Sequence, residues 1–315
     1  MCHVKGFLKL GKVLNFNDYL SKNSTHNSVE WRQGFIESLE EKECSDNTIS
    51  SYLSDIDAFV KWFEKEQGEF LPKFVTAIDI RDYKRYLVEK DYKPKSVNRK
   101  LSTIRVFLTW AHEVKLTESI PKIPKALKQQ RERIRWLSRT EQHALLRRVE
   151  RYGTTRDLGA VKLLLNTGLR VSELEALRWC DITMSERKGN LTVRSGKGCK
   201  RRDVPLNPDA RSALQLLGWN EHQETDKPIM TGQRGKMTRR GIENLVEKYR
   251  SKGLEDLTCH SLRHTFCKNL VDAGVSLEKI AALAGHESLD TTRRYCEPSH
   301  HDLEKAVNLI GEEED

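Results

Sequence analysis

The sequence predicts a mainly α-helical protein of two domains, the second of which also contains a small β-hairpin. Over most of the 315 residues, apolar side chains recur at the three- and four-residue spacing of amphipathic helices. A basic stretch that contains Pro121 and Pro124 interrupts this pattern. Two short alternating segments flank Gly196-Lys197-Gly198, which is typical of strands joined by a tight turn. The length is sufficient for two domains with separate cores.

Four helices are predicted between residues 27 and 116, and together they form the first domain. They are Ser28 to Lys42, a helix that begins after Ser45 or Asp46, about Ala77 to Glu89 and about Lys95 to Val114. The last of them has an apolar side for the core and a polar, largely basic side that suits an anion. The residues predicted to contact that anion are Lys95, Ser96, Asn98, Arg99, Lys100 and Arg105.

Residues 117 to 136 are predicted to form an extended basic linker, because proline and positive charge both oppose compact structure. The second domain spans residues 137 to 300 and begins with a helix-capping box at Ser138 to Glu141. Its hairpin pairs Leu191 to Arg194 with Arg202 to Leu206, and everything after Pro208 is predicted to be helical. The further helices predicted here are Asp157 to Asn166, a short one near Val171, Pro208 to Leu217, Thr238 to Ser251, His260 to Ala273, Leu277 to Ala284 and Leu289 to Cys296.

The two ends of the chain are predicted to lie outside these domains. Residues 301 to 315 form a short helix, from His301 to Ile310, and an acidic tail. Leu303, Val307 and Ile310 give this helix an apolar face, and so short a helix needs a docking surface. Residues 1 to 26 form an extension for which the sequence indicates no role.

The composition favours a polyanionic partner. The net charge is +9 and the isoelectric point about 9.1, and one of several basic clusters contains Arg239 and Arg240. No apolar run approaches the length of a transmembrane helix and no signal-peptide pattern is present, so we expect a cytoplasmic protein. The seven cysteines are scattered singly, which indicates reduced thiols.

Six side chains of the second domain have the chemistry of phosphoryl transfer without a metal ion. Two arginines can clamp the non-bridging oxygens of a phosphate, and a lysine on a turn can protonate a leaving oxygen. Histidines can accept a proton or stabilise charge, and a tyrosine can act as the nucleophile. At pH 7 only ~0.1% of an ordinary tyrosine is ionised, a handicap of ~4 kcal/mol that neighbouring cations should offset. The six residues are Arg170, Lys197, His260, Arg263, His286 and Tyr295.

The motifs that contain these residues resemble those of the tyrosine recombinase, or phage integrase, family. The resemblance covers about residues 137 to 300, and the helical first domain resembles the SAM-like core-binding domain of the same family. It rests on Arg170 to Leu174, Gly196-Lys197-Gly198, His260 to Phe266, Leu283 to His286 and Thr292 to Tyr295, in this order and with these gaps.

The resemblance implies a site-specific recombinase that uses neither metal nor ATP nor another cofactor. Such an enzyme cuts and rejoins DNA through a 3′-phosphotyrosine and a Holliday junction. Arg170 and Arg263 would bind the scissile phosphate, and Lys197 would protonate the 5′ oxygen. Tyr295 would be the nucleophile, and Glu173 would support the site.

The remaining roles and the partners are also implied by the resemblance. His260 and His286 would support the transition state, and His260 or a water molecule would take the proton of the tyrosine. The anion bound by the helix at 95–114 and by Arg239 and Arg240 would be double-stranded DNA. The chain would be a monomer when free and a tetramer on two DNA sites, with the C-terminal helix exchanged between subunits.

Alternatives remain for two of the site residues. His260 and His264 are four residues apart and could, with Cys267, indicate a zinc site, but no fourth ligand has matching spacing. A structural histidine is the simpler interpretation of His264. On the hairpin, Lys200, Arg201 and Arg202 compete with Lys197 as the proton donor.

Alternatives also remain for the function. A nicking-closing topoisomerase would use the same chemistry on one duplex, and a non-catalytic DNA-binding regulator would need only the fold. The sequence does not distinguish integration or excision of a mobile element from resolution of cointegrates or of dimers.

Overall fold

The computed structural model describes residues 28–129, 134–194, 201–286, 288–296 and 307–308. The chain divides into two compact units between residues 131 and 132, within the segment predicted as the linker. Each unit has its own buried core. Among the described residues, no helix is both long enough and apolar enough to cross a membrane.

The first unit consists of four helices, as the sequence predicts. They are α1 (Ser28–Glu41), α2 (Asp46–Gln67), α3 (Ala77–Glu89) and α4 (Pro94–Glu113), with a 3₁₀ turn at Pro72–Phe74. Ser45 caps α2 by accepting a hydrogen bond from the amide of Thr48 at 3.3 Å. Pro94 occupies the first turn of α4, where no intrahelical partner exists for the amide hydrogen that proline lacks. Capping residues therefore place the helix ends close to the predicted positions.

Aromatic side chains fill the core of the first unit. Phe59 on α2 packs edge-on against Tyr83 on α3, with the ring centroids 5.0 Å apart. Phe107 on α4 packs edge-on against Phe35 and Trp31 on α1, with centroid distances of 5.3 and 5.1 Å. Each such pair contributes about 0.5–1.5 kcal/mol beyond the burial of its area, so these contacts hold the four helices together.

A buried carboxylate joins α2 to α4. Asp55 is 1% exposed and accepts hydrogen bonds from Lys100 Nζ at 3.0 Å and from Thr103 Oγ1 at 3.1 Å. Arg99 completes the cluster as a second ion-pair partner. Lys100 is 8% exposed and thus faces the core, not the polar side of α4 on which the sequence analysis placed it. The physical reason is that a buried carboxylate requires a buried counter-charge.

The beginning of the predicted linker lies along α4. The side-chain amide of Asn98 donates to the carbonyl of Leu127 at 2.9 Å and accepts from the amide of Leu127 at 2.8 Å. Ile123 and Leu127 pack against the core of the first unit. Residues 120–129 have no regular secondary structure, so side chains of the first unit hold this segment in place.

The second unit combines helices with two small antiparallel sheets. Its helices are α5 (Arg139–Tyr152), α6 (Thr155–Thr167), α7 (Val171–Ala176), α8 (Pro208–Leu217), α9 (Trp219–His222), α10 (Arg239–Glu247), α11 (Cys259–Asp272), α12 (Leu277–Ala284) and α13 (Leu289–Arg293). The strands are β1 (Ile182–Met184), β2 (Gly189–Val193) and β3 (Arg202–Pro205) in one sheet, and β4 (Thr231–Gly232) and β5 (Gly235–Lys236) in the other.

Helix α6 lies at the centre of the second core and packs against α8 and α11. Gly159 permits a close approach of α8, because a Cβ atom there would lie 2.7 Å from Leu217 and 3.0 Å from the carbonyl of Ala213. The helix ends at Gly168 and the chain continues directly into α7. The core therefore fixes the position of Arg170, the first residue of the predicted site.

The predicted hairpin is confirmed, and three other elements were not predicted. Val193 pairs with Arg202 and Leu191 with Val204. Strand β1, helix α9 and the β4–β5 hairpin are too short to show a periodic pattern. The prediction that everything after Pro208 is helical was wrong for the β4–β5 hairpin. Residues 195–200, which include Lys197, lie outside the described residues. So does most of the predicted helix at 301–310, of which Val307 and Asn308 are described as helical and exposed.

Candidate active site

Three arginines from different parts of the second unit meet at the C-terminal end of α12. Each donates a hydrogen bond to one of three consecutive carbonyl groups there. The pairs are Arg202 Nε to Leu283 O at 2.9 Å, Arg263 Nη2 to Ala284 O at 2.6 Å and Arg170 Nη2 to Gly285 O at 2.6 Å. The last carbonyls of a helix have no intrahelical partner and carry partial negative charge, so they attract cations. The end of α12 thereby gathers positive charge beside His286.

Arg263 is the buried member of this group, at 2% exposure. Its second terminal nitrogen donates to the carbonyl of Gly168 at 2.7 Å, which links α11 to the end of α6. Gly168 has a φ of +62°, and a Cβ atom there would lie 2.3 Å from the ring of Phe266. Burial lowers the pKa of Arg263 to about 10, and the nearby Arg170 acts in the same direction. Arg263 is still charged at neutral pH.

Glu173 connects the other two arginines. Arg202 donates to both of its carboxylate oxygens, at 2.7 and 2.8 Å. Arg170 donates to the same two oxygens, through Nη1 at 2.7 Å and through its backbone amide at 2.8 Å. Burial alone would raise the pKa of Glu173, but the hydrogen bonds from Arg202 and Arg170 outweigh it and lower the pKa to about 2. A permanently ionised carboxylate therefore holds Arg170 and Arg202 side by side.

Tyr295 lies in a 3₁₀ turn that follows α13 and is 1% exposed. Its hydroxyl lies 2.6 Å from Nδ1 of His264, and its ring stacks on that of His286 with the centroids 6.1 Å apart. Burial raises the pKa of Tyr295, Cys267 adds to this effect, and Arg263 opposes it only in part. Arg263 favours the phenolate, as expected of a neighbouring cation, but it does not offset the larger effect of burial.

His264 is the residue that the sequence analysis interpreted as merely structural. Burial, together with the nearby His260 and Arg263, lowers its pKa to about 3, so its ring is neutral at pH 7. The tautomer of this neutral ring decides whether Nδ1 accepts a hydrogen bond from the phenol of Tyr295 or donates one to it. The ring of His260 packs edge-on against that of His264 at 4.1 Å. These two histidines are four residues apart, which places them on one face of the helix. This spacing is the feature of the sequence that could have indicated a shared role in the site.

The buried Thr292 of α13 holds His286 in place. Its Nδ1 lies 2.9 Å from Thr292 Oγ1. Burial, followed by the charges of Arg263 and Arg170, lowers the pKa of His286 to about 4. This histidine is also neutral at pH 7, and it can therefore either donate or accept a hydrogen bond.

Five of the six predicted catalytic residues thus meet in the second unit, together with Glu173. They are Arg170, His260, Arg263, His286 and Tyr295. The sixth, Lys197, lies outside the described residues. Arg202 and His264 take part in the site without having been assigned to it. In the described parts of the chain, no group of three or more His, Cys, Asp or Glu side chains is placed to hold a metal ion.

The predicted DNA-contacting residues differ in how available their side chains are. Lys95, Arg99 and Arg105 are exposed on α4, whereas Lys100 is buried and Asn98 holds the chain at Leu127. Ser96 is half-buried. Arg239 and Arg240 are exposed at the start of α10, where both side chains pair with Glu243.

Comparisons of the sequence with known proteins give consistent matches. Residues 108–301 match the model of the phage integrase family, and residues 33–115 match that of the phage integrase N-terminal SAM-like domain. The chain is 32% identical to tyrosine recombinase XerC of Leptospira interrogans, over 90% of this chain and 93% of that protein. It is 30% identical to tyrosine recombinase XerD of Vibrio cholerae, over 85% of this chain and 91% of that protein.

A solved structure shares the fold. The Tn1549 transposon integrase in complex with transposon right end DNA has a TM-score of 0.67, with 89% of this chain and 99% of that chain covered. The sequence identity is 19%, so this likeness concerns the fold alone.

Proposed function

This chain belongs to the phage integrase family and is a tyrosine site-specific recombinase, and we propose that it cuts and rejoins DNA through Tyr295. The observation that carries the proposal is the arginine-capped end of α12, because it places a cationic site beside His286 and Tyr295. Two arginines beside a tyrosine and neutral histidines are the groups needed to attack a phosphodiester without a metal ion.

In the proposed reaction, a DNA phosphodiester binds with its non-bridging oxygens toward Arg170 and Arg263. The oxygen of Tyr295 attacks the phosphorus, and the bond from phosphorus to the 5′ oxygen breaks. Lys197 donates a proton to that oxygen, and His260 or a water molecule receives the proton of the tyrosine. The products are a 3′-phosphotyrosine and a free 5′ hydroxyl.

Rejoining reverses these steps with a different strand. The 5′ hydroxyl of the partner duplex attacks the phosphotyrosine, and the phenolate leaves with a proton returned to it. The number of phosphoester bonds is unchanged, so the exchange requires no ATP. Two rounds on four strands pass through a Holliday junction.

Tyr295 must move before it can attack. Its hydroxyl is buried and bound to His264, and burial raises its pKa, so the resting phenol is both covered and protonated. The side chain of Arg170, by contrast, is 42% exposed, so its guanidinium is accessible to DNA. We infer that DNA first meets Arg170, and that release of Tyr295 from His264 follows.

The assembly and its surroundings are part of the same proposal. The recombinase acts as a tetramer on two double-stranded sites, is a monomer when free, and works in the cytoplasm, where it is associated with the nucleoid. Residues 27–116 and 137–300 form the two DNA-binding domains around a linker at 117–136. Residues 301–315 dock on a neighbouring subunit, and Val307, the described residue of the predicted apolar face, is 63% exposed. Residues 1–26 have no proposed role.

One experiment tests the function. The full-length protein is incubated with nicked suicide duplexes that carry the sequences flanking its gene, and covalent protein–DNA complexes are separated on a denaturing gel. We expect a complex on one duplex and, with an intact labelled partner duplex, exchanged strands. Relaxation of supercoiled DNA without strand exchange would instead indicate a topoisomerase, and binding without a covalent complex would indicate a regulator.

A further inference from the structure

We propose that Arg202 is a positioning residue for DNA cleavage, which holds Glu173 and the end of α12 and thereby keeps Arg170 available to the scissile phosphate. This inference rests on the proposed function. The sequence indicates Arg202 only as an alternative proton donor. Its contacts in the structure indicate a different role.

The side chain of Arg202 is directed into the site and not toward solvent. Nε donates to the carbonyl of Leu283 at 2.9 Å, and the two terminal nitrogens donate to the two oxygens of Glu173 at 2.7 and 2.8 Å. The side chain is 13% exposed, compared with 42% for Arg170. A guanidinium retains its proton at any pH of interest, and this one already has three partners. The partners of Arg263 are neutral backbone carbonyls, whereas Arg202 is paired with the carboxylate of Glu173, which neutralises its charge. Arg202 therefore suits neither proton donation nor direct phosphate binding.

The negative charge of Glu173 depends on Arg202. Glu173 is 12% exposed and ionised, so it needs a counter-charge close by. Arg202 supplies that charge with a bidentate pair, the strongest geometry between these two groups. Without Arg202, Arg170 would be the remaining arginine on this carboxylate. Arg170 would then pair with Glu173 instead of the phosphate, and its side chain would move toward the interior.

The backbone at Gly285 also lies close to Arg202. Gly285 has a φ of +67°, and a Cβ atom there would lie 2.8 Å from Nη1 of Arg202 and 3.0 Å from its Cζ. Gly285 both accepts the hydrogen bond from Arg170 and precedes His286. Arg202 also begins β3, paired with Val193. It therefore connects the start of β3 to the residues proposed to bind the phosphate.

The test compares single-turnover cleavage by full-length variants on a nicked suicide duplex at saturating DNA. Arg202→Ala should cleave on the order of 10²-fold more slowly than the wild type, the scale of a misplaced catalytic group. Its Kd for the same duplex should stay within about threefold, because Arg202 does not touch DNA. Arg202→Lys retains the charge but cannot make the fork to Glu173, so its rate should lie between the two.

Arg178→Ala is the matched control. Arg178 pairs with Asp226, and both side chains are well exposed, at 48% and 73%, so the pair contributes little. Its removal also lowers the charge by one, and the cleavage rate should remain that of the wild type. Thermal melting of each variant checks the fold, and Arg202→Lys keeps the test decisive if Arg202→Ala is not folded.

Two further measurements distinguish a positioning residue from a structural or a proton-donating one. If Arg202 acts through Arg170, Arg170→Ala/Arg202→Ala should cleave about as slowly as Arg170→Ala alone, whereas independent effects would multiply. A duplex with sulfur at the 5′ bridging position should rescue Lys197→Ala but not Arg202→Ala. A wild-type rate for Arg202→Ala, multiplied effects in the double variant or rescue by sulfur would each overturn the inference. Absence of a covalent complex with the wild type would instead contradict the proposed function.

Discussion

Asp55 in the first unit and Glu173 in the second are both carboxylates surrounded by cations, but they connect different parts of the chain. The partners of Asp55 all lie on α4, so the cluster fixes one helix against another. The partners of Glu173 come from the start of α7 and from β3, and these two arginines reach on to the end of α12. The same type of pairing therefore serves packing in one unit and arranges a reactive site in the other.

Exposure separates the two clusters further. Lys100 beside Asp55 is buried at 8%, whereas Arg170 beside Glu173 is 42% exposed. A cation that is buried with its carboxylate has no contact left for a ligand. A cation that shares its carboxylate with a second arginine keeps N–H donors for a ligand, as we propose for Arg170 beside Arg202.

Among the changes in the second unit, Tyr295→Phe should have the largest effect on DNA cleavage. Tyr295→Phe removes one oxygen atom, and we expect no covalent complex with nicked DNA while the Kd for that DNA stays close to the wild-type value. The measurement is a denaturing gel beside a binding titration on the same duplex. A covalent complex formed by this variant would place the nucleophile elsewhere.

Arg170→Ala and Arg263→Ala should each slow cleavage by on the order of 10²–10³, the usual effect of losing one preorganised donor to a developing anion. They should differ in stability. Arg263→Ala leaves the carbonyls of Gly168 and Ala284 without their donor in a buried place, whereas Arg170 is partly exposed. Urea unfolding should therefore show a clearly larger loss for Arg263→Ala. Equal stability of the two variants would contradict the buried role of Arg263.

In the first unit, Asp55→Asn should affect stability and not chemistry. It leaves Lys100 buried without its counter-charge, which typically costs about 3–5 kcal/mol in the free energy of unfolding. Asp57→Asn on the same helix is the control, since its pair with Arg32 is about 40% exposed and such pairs contribute at most about 1 kcal/mol. The cleavage rate at saturating DNA should be unchanged at temperatures where the variant is folded. Similar losses in the two variants would place the Asp55 cluster at the surface.

His264→Phe tests the contact that holds the resting tyrosine. It removes the hydrogen bond between His264 and the buried hydroxyl of Tyr295, which should lower the free energy of unfolding by about 1–3 kcal/mol. Adding Tyr295→Phe removes that hydroxyl, so the double variant should be less destabilised than the sum of the single variants. Additive losses in urea unfolding would mean that the two groups do not interact in the free protein.

Stability should also depend on pH. His264 and His286 have lowered pKa values of about 3 and 4, so below pH 6.5 the unfolded chain binds more protons than the folded one. Stability should therefore decrease as the pH falls from 6.5 toward 4, by up to about 1.4 kcal/mol per pH unit for each histidine. Urea unfolding at pH 7, 5.5 and 4.5 measures this, and His264→Phe should show a shallower decrease. Equal stability at the three values would contradict the burial of both rings.

The sequence was sufficient for elements with strong local signals. The capping box at Ser138 and the proline at the start of α4 mark helix ends, and repeated apolar spacing marks the helices themselves. Strands β4 and β5, of two residues each, have no period to detect. Lys100 was misplaced because its partner, Asp55, is 45 residues away and only the packed helices bring them together.

Contacts between distant residues also limited the prediction of the site. The resemblance of motifs gave Arg170, Arg263, His286 and Tyr295 as candidates, but the parts of Arg202 and His264 depend on contacts between distant segments. Arg202 is 29 residues from Glu173, and His264 is 31 residues from Tyr295. A hydrogen bond across such separations is a property of the folded chain, so it cannot be read from residue spacing.

The central claim is that Tyr295 forms the bond to DNA, and peptide mapping of the covalent complex tests it most directly. The complex trapped on nicked DNA is digested with nuclease and trypsin, and the modified peptide is sequenced by mass spectrometry. Cleavage after Arg294 should release a peptide that begins at Tyr295 and carries the mass of a 3′-phosphorylated nucleotide on that residue. The same modification on any other residue, or a trapped complex in which the peptide from Tyr295 is unmodified, would contradict the account.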